Sequence, residues 1–105
     1  MNNKFGLKPE IIRKIKTIFS NYPEIEEAIL YGSRAMGNYK NGSDIDLTLI
    51  TYEHNVTSSI IEIGVALDEL DLPYTFDLSF YKNIENPDII DHINRVGISF
   101  YKKQR

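Results

Sequence analysis

Hydrophobic residues recur with helical spacing in three segments of the chain. Between Pro9 and Ser20 the apolar residues share one stripe, and the basic residues lie off it. Between Thr57 and Leu70 apolar residues stand three and four positions apart. The third segment has Asn86 as its N-cap, runs from Pro87 to about Val96 and is followed by Gly97. The pattern predicts three helices, and we expect Gly97 to end the last one in a left-handed conformation.

Between these helices, apolar and polar residues follow patterns that are typical of strands. Ile25 to Tyr31, Asp44 to Thr51 and Tyr74 to Tyr81 are predicted strands, and the second and third alternate clearly. Ser33 to Gly37 is predicted to form a short helical turn, and Ile98 to Tyr101 a short extended end. This order predicts an α/β chain of the α+β type, with a small mixed β-sheet of about three to four strands flanked by helices.

Composition and charge narrow the classes of function. With 105 residues, 42% hydrophobic and 26% charged, the chain has the size and composition of one globular domain, which we expect to span residues 1–105. The net charge of −3 argues against binding to duplex nucleic acid, but it leaves open a nucleotide held through metal ions. The sequence has no cysteine, no apolar run of membrane-spanning length and no signal-peptide core, so we expect a cytoplasmic protein that does not bind membranes.

Three aspartates are the first candidates for chemistry. Asp44 and Asp46 stand two apart on a predicted strand, so their side chains leave the same face about 6.6 Å apart along it. Asp77 lies on the polar face of another predicted strand, and the three carboxylates converge if those strands are neighbours. Clustered carboxylates repel unless a cation lies among them, and oxygen ligands suit Mg²⁺ or Mn²⁺. The three aspartates are therefore the predicted metal ligands and catalytic residues of a site for phosphoryl or nucleotidyl transfer.

A glycine and a serine precede these aspartates at a specific spacing. Gly32 follows a predicted strand and allows a phosphate to approach the backbone, while Ser33 opens a helical turn and offers its hydroxyl. Ten residues separate Ser33 from Asp44, and this combination is more specific than either motif alone. The ten residues 34–43 form a spacer between the two motifs. Its first and last residues, Arg34 and Ser43, complete the predicted nucleotide-binding set.

The two histidines are not expected to take part in catalysis. His54 lies in a polar loop after the second predicted strand, and His92 lies within the last predicted helix. We expect His54 on the surface and His92 facing solvent or a partner.

The run from Gly32-Ser33, through ten residues, to Asp44-Ile45-Asp46 resembles the signature of the polymerase-β-like nucleotidyltransferase superfamily. The small size looks like the minimal nucleotidyltransferase (MNT) branch of that superfamily. The stretch LDLPYTFDLSFY, which contains Asp77, is similar to its third-carboxylate strand, and IIDHINRVGISFYK to its closing helix and tail. The resemblance covers nearly the whole chain and implies a polymerase-β-like nucleotidyltransferase core.

The resemblance also implies roles for the motif residues. In that family the motif glycine and serine bind the triphosphate of the nucleotide, which places this role on Gly32 and Ser33. The motif aspartates bind Mg²⁺, and a third carboxylate binds metal and helps to activate the attacking hydroxyl. These roles fall on Asp44, Asp46 and Asp77. Many relatives have an arginine where this chain has Met36.

A protein partner follows from the same resemblance. The MNT branch is typically encoded beside a helical HEPN protein, often an RNase toxin, and the resemblance implies an antitoxin that transfers AMP from ATP to a tyrosine of that partner. We expect the nucleotidyltransferase core to use all 105 residues, so that another chain supplies the acceptor in a hetero-oligomer, with or without self-association of this chain. Two alternatives stay open: an antitoxin that acts by contact without chemistry, and a nucleotidyltransferase for a small molecule or an RNA end.

Overall fold

The computed structural model describes residues 4–51 and 57–104, without the side chain of Thr57. The prediction for His54 lies outside these residues. The elements are, in chain order, α1 (Pro9–Ser20), β1 (Ile25–Tyr31), α2 (Ser33–Met36), β2 (Ile45–Thr51), α3 (Thr57–Asp68), β3 (Phe76–Phe80), a 3₁₀ turn (Tyr81–Asn83), α4 (Pro87–Val96) and β4 (Ile98–Lys102). The first helix and first strand coincide with their predicted bounds, whereas β2, α3 and β3 are shorter than predicted.

The strands form one mixed sheet with the order β3-β2-β1-β4. β1 lies between β2 and β4 and is antiparallel to both, while β2 and β3 are parallel. Parallel neighbours need a crossover connection, and α3 supplies it between β2 and β3. The predicted fold class, a small mixed sheet flanked by helices, is confirmed. The short extended end after the last helix is a full strand of this sheet.

The main hydrophobic core lies on one face of the sheet. Alternate residues of β2 enter it, and α1 and α3 supply residues that are fully or almost fully buried. These residues are Ile45, Leu47 and Leu49 from β2, Ile15 and Phe19 from α1, and Ile63 and Leu67 from α3. Removing a large side chain from such a core typically costs about 2–5 kcal/mol of stability. This face therefore holds the sheet together and leaves the opposite face for α4 and the polar side chains.

The ends of α4 show one confirmed prediction and one that is wrong. The Asn86 side chain accepts a hydrogen bond of 2.9 Å from the backbone N–H of Asp88, which is the predicted N-cap. Gly97 is not left-handed, because its φ of −60° and ψ of 140° lead directly into β4. A Cβ at Gly97 would collide with the carbonyl oxygen of Ile93 and lie 2.8 Å from Cγ2 of Ile29. The glycine is therefore needed for close packing of α4 on β1.

None of the helices in the described part of the chain has the length and apolar character that a membrane span requires.

Candidate active site

Two of the three predicted metal ligands are direct neighbours across the parallel pair of strands. Asp46 on β2 is the register partner of Asp77 on β3, so both side chains leave the same face of the sheet. Asp44 precedes β2 and is two residues from Asp46. Asp46 is half-buried, while Asp44 and Asp77 are exposed. The strand of Asp77 therefore lies beside the strand of Asp46, which the prediction of a shared site requires.

The Asp46 carboxylate lies within electrostatic reach of two other carboxylates. Burial raises the pKa of Asp46, and the negative charges of Asp77 and Asp44 raise it further. Within residues 4–51 and 57–104, no three acidic, histidine or cysteine side chains lie close enough together to hold a metal ion. The donor set nevertheless fits Mg²⁺ or Mn²⁺, because it consists of carboxylate oxygens whose mutual repulsion a divalent cation would relieve.

The Gly32 turn lies directly against the Asp46 carboxylate. Gly32 has φ of +76° and ψ of −157°, a conformation that side chains strongly disfavour. A Cβ at this position would collide with the Asp46 carboxylate. Ser33, the first residue of α2, is half-buried beside this contact. The structure thus brings the two halves of the motif together, and the close approach explains why position 32 requires glycine.

Arg34 is buried and bonded to backbone carbonyls. Its side chain is only 2% exposed, and its guanidinium donates hydrogen bonds to the carbonyl of Phe5 at 2.7 Å and to the carbonyl of Ser43 at 2.8 and 3.1 Å. It also contacts the rings of Tyr39 and Tyr74, with centroid distances of 5.3 and 4.8 Å. A nucleotide contact of Arg34 stays a prediction, while these contacts tie the end of the spacer to the N-terminal segment.

Ser43 closes the spacer with a tight turn. Its hydroxyl accepts a 2.8 Å hydrogen bond from the backbone N–H of Lys40, and its own N–H donates to the Lys40 carbonyl at 3.0 Å. Gly42 within this turn has φ of +82°. The Ser43 hydroxyl keeps a proton to donate, so its predicted contact with a nucleotide remains compatible with the turn. Met36 is 50% exposed and offers no polar group to a phosphate.

Three hydroxyl-bearing residues lie on the same face of the sheet as the carboxylates. Thr48 is fully buried, and its hydroxyl accepts a hydrogen bond of 3.0 Å from Ser79. Tyr31 is the cross-strand partner of Asp46. Burial raises the pKa of Tyr31; a hydrogen bond with Ser79 lowers it, and the negative charges of Asp77 and Asp46 raise it. Because the net shift is upward, Tyr31 keeps its proton and stays a hydrogen-bond donor at neutral pH.

His92 is the residue of this face that the sequence did not reveal. Its Nε2 accepts a hydrogen bond of 3.1 Å from the backbone N–H of Gly32, and its ring meets the Tyr31 ring edge-on at 6.2 Å and 78°. The prediction that His92 faces solvent or a partner is therefore wrong. One signal was present: His92 follows Ile89 by three residues and precedes Val96 by four, which puts it on the apolar stripe of α4.

Comparison with known proteins found matches to the sequence and to the fold. A family model described as "Polymerase beta, Nucleotidyltransferase" matches residues 13–105. A chain of a toxin–antitoxin complex with AMP-PNP has a TM-score of 0.67 and 21% identity over 93% of this chain and 76% of its own. A chain of the complex between a tri-AMPylated Shewanella oneidensis HEPN toxin and an MNT antitoxin has a TM-score of 0.63 and 18% identity, covering 90% of this chain and 72% of its own.

A chain of the MntA–HepT toxin–antitoxin complex is similar to the same degree, with a TM-score of 0.64, 18% identity and coverage of 92% of this chain and 74% of its own. At these identities the similarity shows a shared fold. The comparison with curated proteins gives no significant match.

Proposed function

Because this chain belongs to the polymerase-β nucleotidyltransferase family, we propose that it transfers AMP from ATP to a tyrosine hydroxyl of a HEPN-type partner and thereby acts as an antitoxin. The observation that carries the proposal is the contact between the Gly32 turn and the Asp46 carboxylate, which only glycine permits. A triphosphate bound at this turn lies beside the carboxylate group. That is the arrangement that nucleotidyl transfer requires.

The acceptor is proposed from the fold neighbours. One neighbour is a toxin–antitoxin complex with AMP-PNP, and another contains a HEPN toxin that carries three AMP groups beside an MNT antitoxin. Those descriptions concern the neighbours, and we extend them to this chain because its fold and its motif spacing match the MNT pattern. A HEPN-type partner that supplies the acceptor hydroxyl is therefore the first substrate to test.

Each motif residue has a role in this proposal. Asp44, Asp46 and Asp77 would hold Mg²⁺ or Mn²⁺, which supplies positive charge to stabilise the attacking and the leaving oxygens. The Ser33 hydroxyl donates a hydrogen bond to the phosphate tail, and the Gly32 turn lets that tail approach the backbone. Asp77, the exposed carboxylate of β3, accepts the proton of the incoming tyrosine hydroxyl.

The reaction is an in-line displacement at the α-phosphate. The tyrosine oxygen of the partner forms a bond to the α-phosphorus, the bond from that phosphorus to the β-phosphate bridging oxygen breaks, and pyrophosphate leaves. We propose that Ser43 donates a further hydrogen bond to the nucleotide. For Arg34 we propose support of the spacer in place of a phosphate contact, because its guanidinium already bonds two backbone carbonyls.

The test is label transfer from ATP. The chain is incubated with α-labelled ATP, Mg²⁺ and the product of the neighbouring gene as the candidate HEPN-type partner, and label is expected on that partner. Asp44→Asn combined with Asp46→Asn, and separately a chelator, should abolish the label. Asp91→Asn is the matched control, because Asp91 is an exposed aspartate on α4 that pairs only with Arg95 in the described structure. An active partner that stays unlabelled counts against the proposal.

The same variants separate the alternatives. If the double variant neutralises the partner as well as the wild type at equal concentration, the chain acts by contact and not by transfer. If a small molecule or an RNA end becomes labelled while the partner does not, the nucleotidyltransferase assignment stands and the acceptor is different.

A further inference from the structure

The hydrogen bond between α4 and the Gly32 turn joins residues that are sixty positions apart. The Gly32 N–H donates to Nε2 of His92 at 3.1 Å. A ring nitrogen that accepts a hydrogen bond carries no proton, so the geometry assigns the His92 proton to Nδ1 in a neutral ring. His92 therefore presents an acceptor, not a cation, to the turn.

This bond acts at a point where the strand ladder no longer holds the backbone. The last register pair of β1 and β2 is Tyr31 with Asp46, and Gly32 follows it. The Gly32 carbonyl accepts from the N–H of Met36 at 3.1 Å, which is the first hydrogen bond of α2. His92 holds the N–H of Gly32, and α2 holds its carbonyl. Together they fix both peptide planes of a glycine that would otherwise sample several conformations.

The helix that carries the imidazole packs closely on the sheet. The neighbouring residue Ile93 is 2% exposed, and Gly97 allows α4 to pack closely on Ile29 of β1. The imidazole and the Tyr31 ring form a T-shaped pair with 6.2 Å between their centroids. A side chain on a packed helix positions its target more accurately than one on a loop.

We propose that His92 is a positioning residue of the nucleotide site: it fixes the Gly32 peptide and thereby the direction of the Ser33 hydroxyl and N–H toward the phosphates. The proposal rests on the proposed function, since it concerns the same site. His92 acts through Gly32 and does not contact the reacting atoms. Its loss should therefore weaken nucleotide binding more than it weakens the fold.

Two substitutions test whether His92 acts as a hydrogen-bond acceptor or only through its packing volume. His92→Gln keeps an acceptor oxygen near the position of Nε2, and His92→Leu removes it while keeping apolar volume. Binding of Mg²⁺–AMP-PNP is measured by calorimetry, with thermal unfolding in parallel, and Asp91→Asn on the exposed side of α4 is the control. We expect about a 3- to 10-fold weaker Kd for His92→Leu, from the loss of one hydrogen bond, and a Kd within about 2-fold of wild type for His92→Gln.

Nuclear magnetic resonance provides a readout that does not depend on nucleotide. The ring ¹⁵N shifts of wild-type His92 should show the proton on Nδ1. The Gly32 amide proton should move upfield in His92→Leu and stay near its wild-type position in His92→Gln. If the wild type binds nucleotide and folded His92→Leu binds it equally well, the positioning role is overturned.

Three other outcomes are also decisive. A proton on Nε2 of wild-type His92 overturns the proposal by itself, whether or not His92→Leu folds. A wild type that shows the expected tautomer but binds no nucleotide refutes the proposed function, and with it the part of the inference that concerns phosphates. Loss of nucleotide affinity in His92→Leu together with wild-type affinity in His92→Gln supports the nucleotide site and the positioning role of His92.

Discussion

Arg34 gives the sharpest test of how the spacer is built. The sequence predicts a phosphate contact for Arg34, whereas the structure buries the side chain to 2% exposure and directs it at backbone carbonyls. Arg34→Met keeps the length and apolar contacts of the side chain and removes its hydrogen bonds. The carbonyls of Phe5 and Ser43 then lose their charged donor.

The cost can be estimated from the number of carbonyls that lose a partner. A hydrogen bond to a charged group contributes about 1.5–3 kcal/mol, and the two bonds to Ser43 share one acceptor, so two carbonyls give about 3–6 kcal/mol. Removing a buried cation offsets part of this loss of stability, because the desolvation penalty of the cation disappears. We expect a net loss of about 3 kcal/mol. For a domain of this size that corresponds to a fall in Tm of about 12 °C or more.

Thermal and urea unfolding of the metal-free protein measure this loss. Hydrogen exchange should be faster at the amides of residues 40–44, because the turn before Asp44 loses its attachment to Phe5. Arg34→Lys should give an intermediate loss, since one ammonium cannot reproduce the guanidinium fork. Arg95→Met is the matched control: Arg95 is exposed and pairs with Asp91, so its loss should cost less than about 1 kcal/mol.

The reasoning fails if Arg34→Met unfolds within about 2 °C of the wild type and loses only nucleotide affinity. That result would indicate that Arg34 contacts the phosphates of the nucleotide, as the sequence predicts. A fall in Tm with unchanged exchange at residues 40–44 would also contradict the assigned role, because the stabilisation would then lie elsewhere.

Two further predictions concern charge and close packing. Burial and neighbouring carboxylates raise the pKa of Asp46, so its charged form opposes folding. Metal-free Asp46→Asn should therefore melt at a higher temperature than the wild type at pH 7 and lose this advantage below about pH 4. A Tm at pH 7 that is not higher than that of the wild type would contradict this prediction. Gly97→Ala should lower the free energy of unfolding, measured in urea, by about 1–3 kcal/mol, because its Cβ would press on Ile93 and Ile29. Gly42→Ala should cost less, about 1 kcal/mol from backbone strain at φ of +82°, because a Cβ there would have no atom within 4 Å. The reverse order would contradict the packing role of Gly97.

Local patterns predicted most of the secondary structure. The apolar stripe of α1, the alternation in β2 and the capping residue of α4 each depend on residues that are close in sequence, and each element formed where predicted. Element ends were less accurate: β2 begins at Ile45 and not at Asp44. The helix α4 ends at Val96, before Gly97, as predicted, but the left-handed conformation predicted for Gly97 is wrong because the chain runs directly into β4 and packs closely on Ile29.

The sequence by itself determined the candidate chemistry of this protein, because motif spacing and residue type name Gly32, Ser33 and the aspartates without any coordinates. Their assignment as phosphate and metal ligands stays a prediction. Only the tertiary structure decided that Asp77 lies beside Asp46, that Arg34 points into the spacer and that His92 reaches Gly32. Strand order and the direction of a helix face depend on contacts between residues tens of positions apart. Spacing and periodicity within one segment carry no record of such contacts.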